Sequence, residues 1–301
     1  MIPEAWNRYR AWAKRARTLQ AASERNKFQA LIAAVLAALF GAIAATVPTD
    51  WGILATIAAV LAGFAAAATA ILGRDVLAVG HEKQWILARA TAEAMKSECF
   101  VAAAHAAPYD AQDAEARFIA RLDEIERQAL KDRLAPLSDP AAEDRRRPPE
   151  PMDLPWYRTV RMEDQRKYYA DRQQEHEAAT RNLRLAGLGM ALLGALLGAL
   201  AAAGFTGFAP WIGLTTSMTA ALGAWGYMER RSALAATYGT MAYRLGTLCD
   251  RAAHTTRPLP EIVTETENLL RAEHAEWLLA MQQGPGGGEA GGGPSSSGPA
   301  G

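Results

Sequence analysis

The 44 residues from Leu185 to Met228 contain no charged side chain, although about nine would be expected at the chain's 21 % charged composition. Leu185–Ala203 is dense in Leu, Ala and Gly; Gly204-Phe-Thr-Gly207-Phe-Ala-Pro210 breaks the run, and Trp211–Met228 resumes it. Each half is about 18–19 residues, which at ~1.5 Å per residue falls just short of the ~30 Å hydrocarbon core of a bilayer. An uncharged turn between the halves, with Arg184 before and Arg230 and Arg231 after, describes a transmembrane hairpin with both ends on one side. Phe28–Thr49 and Trp51–Leu72 repeat that layout around a turn at Val47-Pro48-Thr49-Asp50. For this Ala-rich first pair a buried hairpin in a soluble bundle is the alternative, because alanine sits near the threshold for insertion.

Apolar residues make up 50 % of the chain while its mean hydropathy is only −0.08, so the hydrophobicity is concentrated and long polar helices lie between the apolar runs. A formal charge of zero argues for neither a nucleic-acid partner nor an acidic substrate, and no nucleic-acid partner is expected. Residues 1–27 carry seven basic residues against Glu4 and Glu24, which retains that end in the cytoplasm. The two turns lack basic residues and suit the far side, so both hairpins come out with N- and C-termini cytoplasmic. A lead-in of this length is too long for a cleaved signal peptide. Cys99 and Cys249 fall in segments placed in the cytoplasm, where thiols stay reduced.

The polar segments are patterned as helices. Trp85, Ala88, Ala92, Met95 and Cys99 make an apolar stripe on a helix running to about His105. Pro108-Tyr109-Asp110 stops it, and Ala111–Leu134 follows with Phe118, Leu122, Ile125 and Ala129 on one face. Residues 136–155 hold six of the fifteen prolines and read as a linker; Arg145–Arg147 within it either stay solvated or touch anionic headgroups. From Trp156 the order repeats: a charged lead helix, the hairpin, a helix striped by Leu234, Tyr238, Met241, Leu245 and Leu248, a break at Pro258-Leu-Pro260, and a last amphipathic helix with Ile262, Leu269, Leu270, Trp277 and Leu278. This is a duplicated architecture: a first unit at 1–135, the linker at 136–155, a second unit at 156–283, and a Gly/Ser/Pro tail at 284–301 expected to be disordered. The fold class is all-α and integral to the membrane, with two transmembrane hairpins and long amphipathic cytoplasmic helices.

No phosphate-binding loop, zinc-helix motif or nucleophile turn occurs, so no catalytic, cofactor-binding or metal-ligating residue is assigned. Cys99 with His105 and Cys249 with His254 occupy equivalent places; four such groups can bind a metal, but core cysteines beside frayed helix ends are the plainer reading. Within the spans, Gly194 and Gly198 form a GxxxG spacing that allows close helix approach. Thr215, Thr216 and Thr219 either line a path or bond back to their own helix, and packing is the plainer role. No ionisable residue lies within a span, so any pore would come from oligomerisation.

In the first unit, Trp85, Arg89, Glu93 and Lys96, then Pro108-Tyr109 and Phe118, resemble the motif of the SLATT family, two-transmembrane effector domains associated with bacterial SMODS and SLOG nucleotide-signalling systems. In the second, Tyr157, Arg161, Asp164, Gln165 and Tyr169 resemble the lead-in of a sister subgroup. The resemblance implies two tandem SLATT units in one chain and a non-enzymatic effector of the bacterial inner membrane. Its implied partners are the lipid bilayer, further copies of the chain and a nucleotide-signalling protein, and its implied role is to permeabilise the membrane in anti-phage conflict. The alternative is a membrane anchor that recruits cytoplasmic partners through the helices at 111–134 and 261–283.

Overall fold

A computed structural model describes residues 1–77, 79–138, 144–228 and 231–282, and every regular element among them is helical. The elements are α1 (Ile2–Thr46), α2 (Gly52–Leu77), α3 (Val79–Ala103), α4 (Ala114–Lys131), α5 (Leu154–Tyr157), α6 (Asp164–Ala202), α7 (Ala209–Met228), α8 (Arg231–Ala253) and α9 (Leu259–Gln282). A wide π turn at Arg158–Glu163 joins α5 to α6, making one helical run of 49 residues.

Each unit is a long hairpin. In the first, α1 is an unbroken 45-residue helix, about 68 Å at the α-helical rise. Its apolar half packs on α2 and its polar half on α3. In the second, the α5–α6 run packs on α7 at its apolar end and on α8 at its polar end. The units meet along their length: α1 touches α7, with Phe28 edge-on to Trp225 at 6.4 Å, and α3 touches α9.

Among the described residues three helices are long and apolar enough to cross a membrane: α1, Gly52–Arg74 of α2, and the α5–α6 run. A fourth such span was expected at Trp211–Met228, and α7 departs from it. The helix is uncharged, but Thr215, Thr216, Ser217 and Thr219 together with its glycines dilute its apolar character. Two complete hairpins through lipid therefore do not follow from α7's own composition. The apolar arms bury little against each other; Ile53 and Phe64 are 81 % and 72 % exposed, and Leu185, Leu188, Leu192 and Leu196 line one open face of α6. A water-soluble bundle rarely leaves so continuous an apolar belt uncovered.

The polar ends form a main core shared by both units and a smaller cluster of Tyr169, Tyr238, Met241, Leu245 and Leu270. Trp6 and Trp12 of α1, Phe100 of α3, Phe118 of α4, Tyr157 and Met162 of the second lead helix, and Val263 of α9 are all buried in a single cluster. The α4 stripe is as expected, with Phe118, Leu122, Ile125 and Ala129 buried, although the helix spans Ala114–Lys131 behind Asp113 rather than Ala111–Leu134. Residues 136–138 and 144–155 of the linker lie on the bundle: Leu137 N–H donates to Ala11 O, Lys14 reaches Ser138 O, and Trp6 Nε1 donates to Asp144. Arg145–Arg147 are exposed. The Gly/Ser/Pro tail at 284–301 lies outside the described residues.

Candidate functional site

The residues singled out by motif converge where α3, the second lead helix and α9 meet. Arg89, Glu93 and Lys96 repeat at four- and three-residue steps along α3, which sets them on one face. Asp153 accepts a hydrogen bond from Trp156 N–H at 2.8 Å and so caps α5, with Pro155 in the first turn. That start fixes the direction of Tyr157, and the π turn carries Arg161 and Met162 inward, where both are buried. On α9, Glu267, Arg271 and His274 again follow four- and three-residue steps.

The centre is a bidentate pair. Arg161 Nε and Nη2 donate to Glu267 Oε1 and Oε2, each at 2.8 Å, and Tyr157 O–H donates to Oε1 at 3.0 Å. Only 3 % of the arginine side chain and none of the glutamate is exposed. The guanidinium carbon lies 4.6 Å from the centre of the Phe100 ring, a cation–π contact between the units. Burial alone disfavours the Arg161 cation, but the Glu267 charge and hydrogen bonds reverse this and raise its pKa. Burial, then Glu267, pushes the Tyr157 phenol well above its ordinary value.

Two further groups flank the pair. Glu98 is buried and accepts from Tyr109 O–H at 2.7 Å and Arg121 Nε at 3.3 Å; Arg271 Nη2 also lies at 3.3 Å, while Arg271 Nε donates to Ser97 Oγ at 2.8 Å. Burial and the Glu98 bond raise the Tyr109 phenol. Tyr169 O–H donates to Glu273 Oε2 at 3.0 Å, and Arg89 stands among Tyr168, Tyr169 and Tyr238. Burial pushes the Glu273 carboxyl up against the opposing effects of Tyr169 and Arg89. Lys96 lies 4.0 Å from Glu93, with its ammonium 5.8 Å from the centre of the Tyr9 ring. Burial lowers the Lys96 pKa despite Glu93. For Glu93 burial pulls upward, but Lys96, Arg161 and Arg89 together hold its carboxyl below the usual range.

Both signs of charge thus meet inside the junction, where they hold the helices together. Among the described residues no group of three or more His, Cys, Asp or Glu side chains comes together as a metal site. Cys99 and Cys249 are free and buried in the core, and His105 is exposed. A cleft of about 620 Å³ opens between the ends of α8 and α9, where Arg251 and Arg257 are already paired with Glu265 at 3.3 and 2.6 Å.

Other motif positions lie elsewhere. Phe118 is in the α4 core, Trp85 and Gln165 are half-buried, Pro108 is exposed, and Asp164 faces Arg146 at 3.8 Å. In the apolar arms, Gly194 receives Thr215: a Cβ at Gly194 would lie 2.8 Å from Thr215 Oγ1, whereas one at Gly198 would be 4.0 Å from Ile212 Cδ1. The GxxxG face therefore packs inside the chain, α6 on α7. Thr215 and Thr216 hydroxyls donate to Ile212 O and Thr219 to Thr215 O, bonds within their own helix. Sequence reasoning missed Glu98, Glu267, Arg271 and Glu273, and the packing of Trp6 and Trp12. For Glu267 the one usable signal was its place between Val263 and Leu270 on the apolar side of α9.

Fold and site together define a class: a tandem helical protein whose arms are of membrane length and whose polar ends are clamped by buried charge. Within it, residues 157–277 match the SMODS and SLOG-associating 2TM effector domain 1, and residues 4–117 match a protein family of unknown function (DUF4231). The expectation of two SLATT units is corrected accordingly: only the second unit matches that domain, and the first matches a different family model. The two units share the order of lead helix, hairpin and return helix, and a likeness resting on arrangement does not separate families that build the same hairpin. No curated protein and no solved structure matches the chain.

Proposed function

We propose that the protein is a multi-pass effector of the bacterial inner membrane. Its hairpins lie in lipid, its termini and shared bundle lie in the cytoplasm, and copies associate to permeabilise the membrane when a cytoplasmic signal reaches the bundle. The carrying observation is the exposed apolar belt on α1, α2 and α6, continuous end to end with a charge-clamped polar bundle. The 2TM effector match over residues 157–277 supports the effector class and a nucleotide-signalling partner protein. We further propose that the unit boundaries follow the plan 1–135, 136–155 and 156–283, and that the protein performs no catalysis of its own.

The orientation rests on the basic lead-in: Arg8, Arg10, Lys14, Arg15 and Arg17 all precede the first apolar stretch. The anchor alternative loses much of its surface, because Phe118, Leu122, Ile125 and Ala129 of α4 and Ile262, Val263 and Leu270 of α9 are covered by the chain's own core. Purified protein reconstituted in dye-loaded vesicles should release the dye once its nucleotide-signalling partner and signal are supplied. Sealed vesicles under all those conditions would remove the permeabilising role.

A further inference from the structure

The last helix of each unit is used differently. Helix α4 closes on its own unit, packing on α3. Helix α9 packs mainly on α3, which belongs to the other unit, and touches its own neighbour α8 much less. Its contacts are also unusually polar: Glu267 and Glu273 are buried against Arg161, Tyr157 and Tyr169 of its own unit's lead helix, and Arg271 reaches Ser97 and Glu98 of α3. Buried ion pairs roughly break even against the desolvation of their charges, so such an interface is specific without being strongly attractive. Lifting α9 would remove at once the counter-charge of Arg161, the acceptor of Tyr169 and one partner of Glu98. Arg161 lies on the 49-residue run that continues to Ala202, so a rearrangement at the clamp has a rigid path into the apolar arm.

We propose that α9 is a latch between the two units: the Arg161–Glu267–Tyr157 clamp fixes it to the second lead helix, where Arg271 and the Arg161–Phe100 contact tie the assembly to α3, and its release is the step that frees the apolar arms to rearrange. Its consequence for the membrane rests on the effector reading above; the release itself does not.

Hydrogen exchange of the full chain in vesicles of phosphatidylethanolamine and phosphatidylglycerol, read by mass spectrometry, tests it with α4 as internal reference. In Glu267→Gln an amide donor replaces one of the two oxygens facing Arg161, and the buried guanidinium loses the Glu267 counter-charge. Amides of α9 should then exchange at least about tenfold faster while α4 keeps the parent rate. The charge-free pair Arg161→Met with Glu267→Leu refills the same space and should keep α9 as protected as in the parent. Unchanged α9 exchange in Glu267→Gln would overturn the latch, as would α4 and α9 accelerating together, which marks the pair as general core. Dye release from the same vesicles separates the two ideas. A freed α9 with sealed vesicles keeps the latch and removes the permeabilising function; leakage with α9 still protected does the reverse.

Discussion

Helices α4 and α9 occupy the same place in their units, yet they are held by different physics. Helix α4 presents an apolar stripe to the core and keeps its charges at the rim, exposed or half-buried, where Arg8 reaches Asp123 at 2.8 Å and Glu126 at 2.6 Å and Trp12 Nε1 donates to Glu126 at 3.0 Å. Helix α9 buries Glu267 and Glu273 beside Ile262, Val263 and Leu270. Apolar packing depends on volume and tolerates changes that preserve it. A buried charge depends on its partner, whatever the shape of the replacement. The same order of helices therefore ends on an apolar contact in the first unit and on a charge-paired one in the second.

The sharpest break of that comparison comes from paired substitutions. Glu267→Gln preserves shape and should still cost about 3–5 kcal/mol of α9 docking, whereas Phe118→Leu in α4 should cost less than about 1.5 kcal/mol and Phe118→Ala about 3–5 kcal/mol. Denaturant titration of the detergent-solubilised protein, followed by fluorescence, reads all three. If Glu267→Gln proved as mild as Phe118→Leu, the two helices would not differ in kind. Next in size, Tyr169→Phe leaves the Glu273 carboxylate short of a donor and should destabilise by about 1–3 kcal/mol in the same assay.

The apolar arms give a comparison within one motif. Gly194→Val drives side-chain atoms into Thr215, which is buried and bonded to Ile212 O, and should cost about 1–3 kcal/mol. Gly198→Ala meets only ordinary contact and should change thermal stability little. Equal effects at the two glycines would show that α6 and α7 do not pack as described.

The smallest expected effect is one of pH. Burial, helped by Arg89 and opposed by Glu93, holds the His274 pKa below its ordinary value. A depressed histidine favours the folded state above its unfolded pKa of about 6.5, and that contribution is lost as pH falls. Glu273, raised by burial, works in the opposite sense: its contribution is present at low pH and lost as pH rises. Comparing His274→Gln with the parent isolates the histidine, and the parent should lose more Tm between about pH 7.5 and 5.5. A parent and variant with parallel pH profiles would mean that His274 is not held neutral by the junction.

Much of this architecture was readable from periodicity. The stripes on α3, α4 and α8 placed Ala92, Met95, Phe118, Leu122, Met241 and Leu245 correctly in the core, because apolar side chains at helical spacing have one good destination. Glu267 was not readable in that way. A glutamate on an amphipathic helix reads as solvent-facing, and its burial is decided by Arg161, 106 positions away in the chain. Trp6 and Trp12 were overshadowed by the basic residues around them, which pointed to topology and said nothing of packing. The weaker span α7 exposes a related limit: an absence of charge sets what a helix can enter, while Thr and Gly content sets how strongly it is driven there.

The proposed effector role requires apolar arms that cross lipid in antiparallel pairs with their polar ends on one side. Single cysteines replacing Asp50, Gly207 and Tyr243, in a Cys99→Ser, Cys249→Ser background, can be probed on intact spheroplasts with a membrane-impermeant maleimide. The turn positions Asp50→Cys and Gly207→Cys should label from outside, and Tyr243→Cys, 77 % exposed on α8, should label only after lysis. Labelling of Tyr243→Cys on intact cells, or protection of Gly207→Cys until lysis, would contradict it.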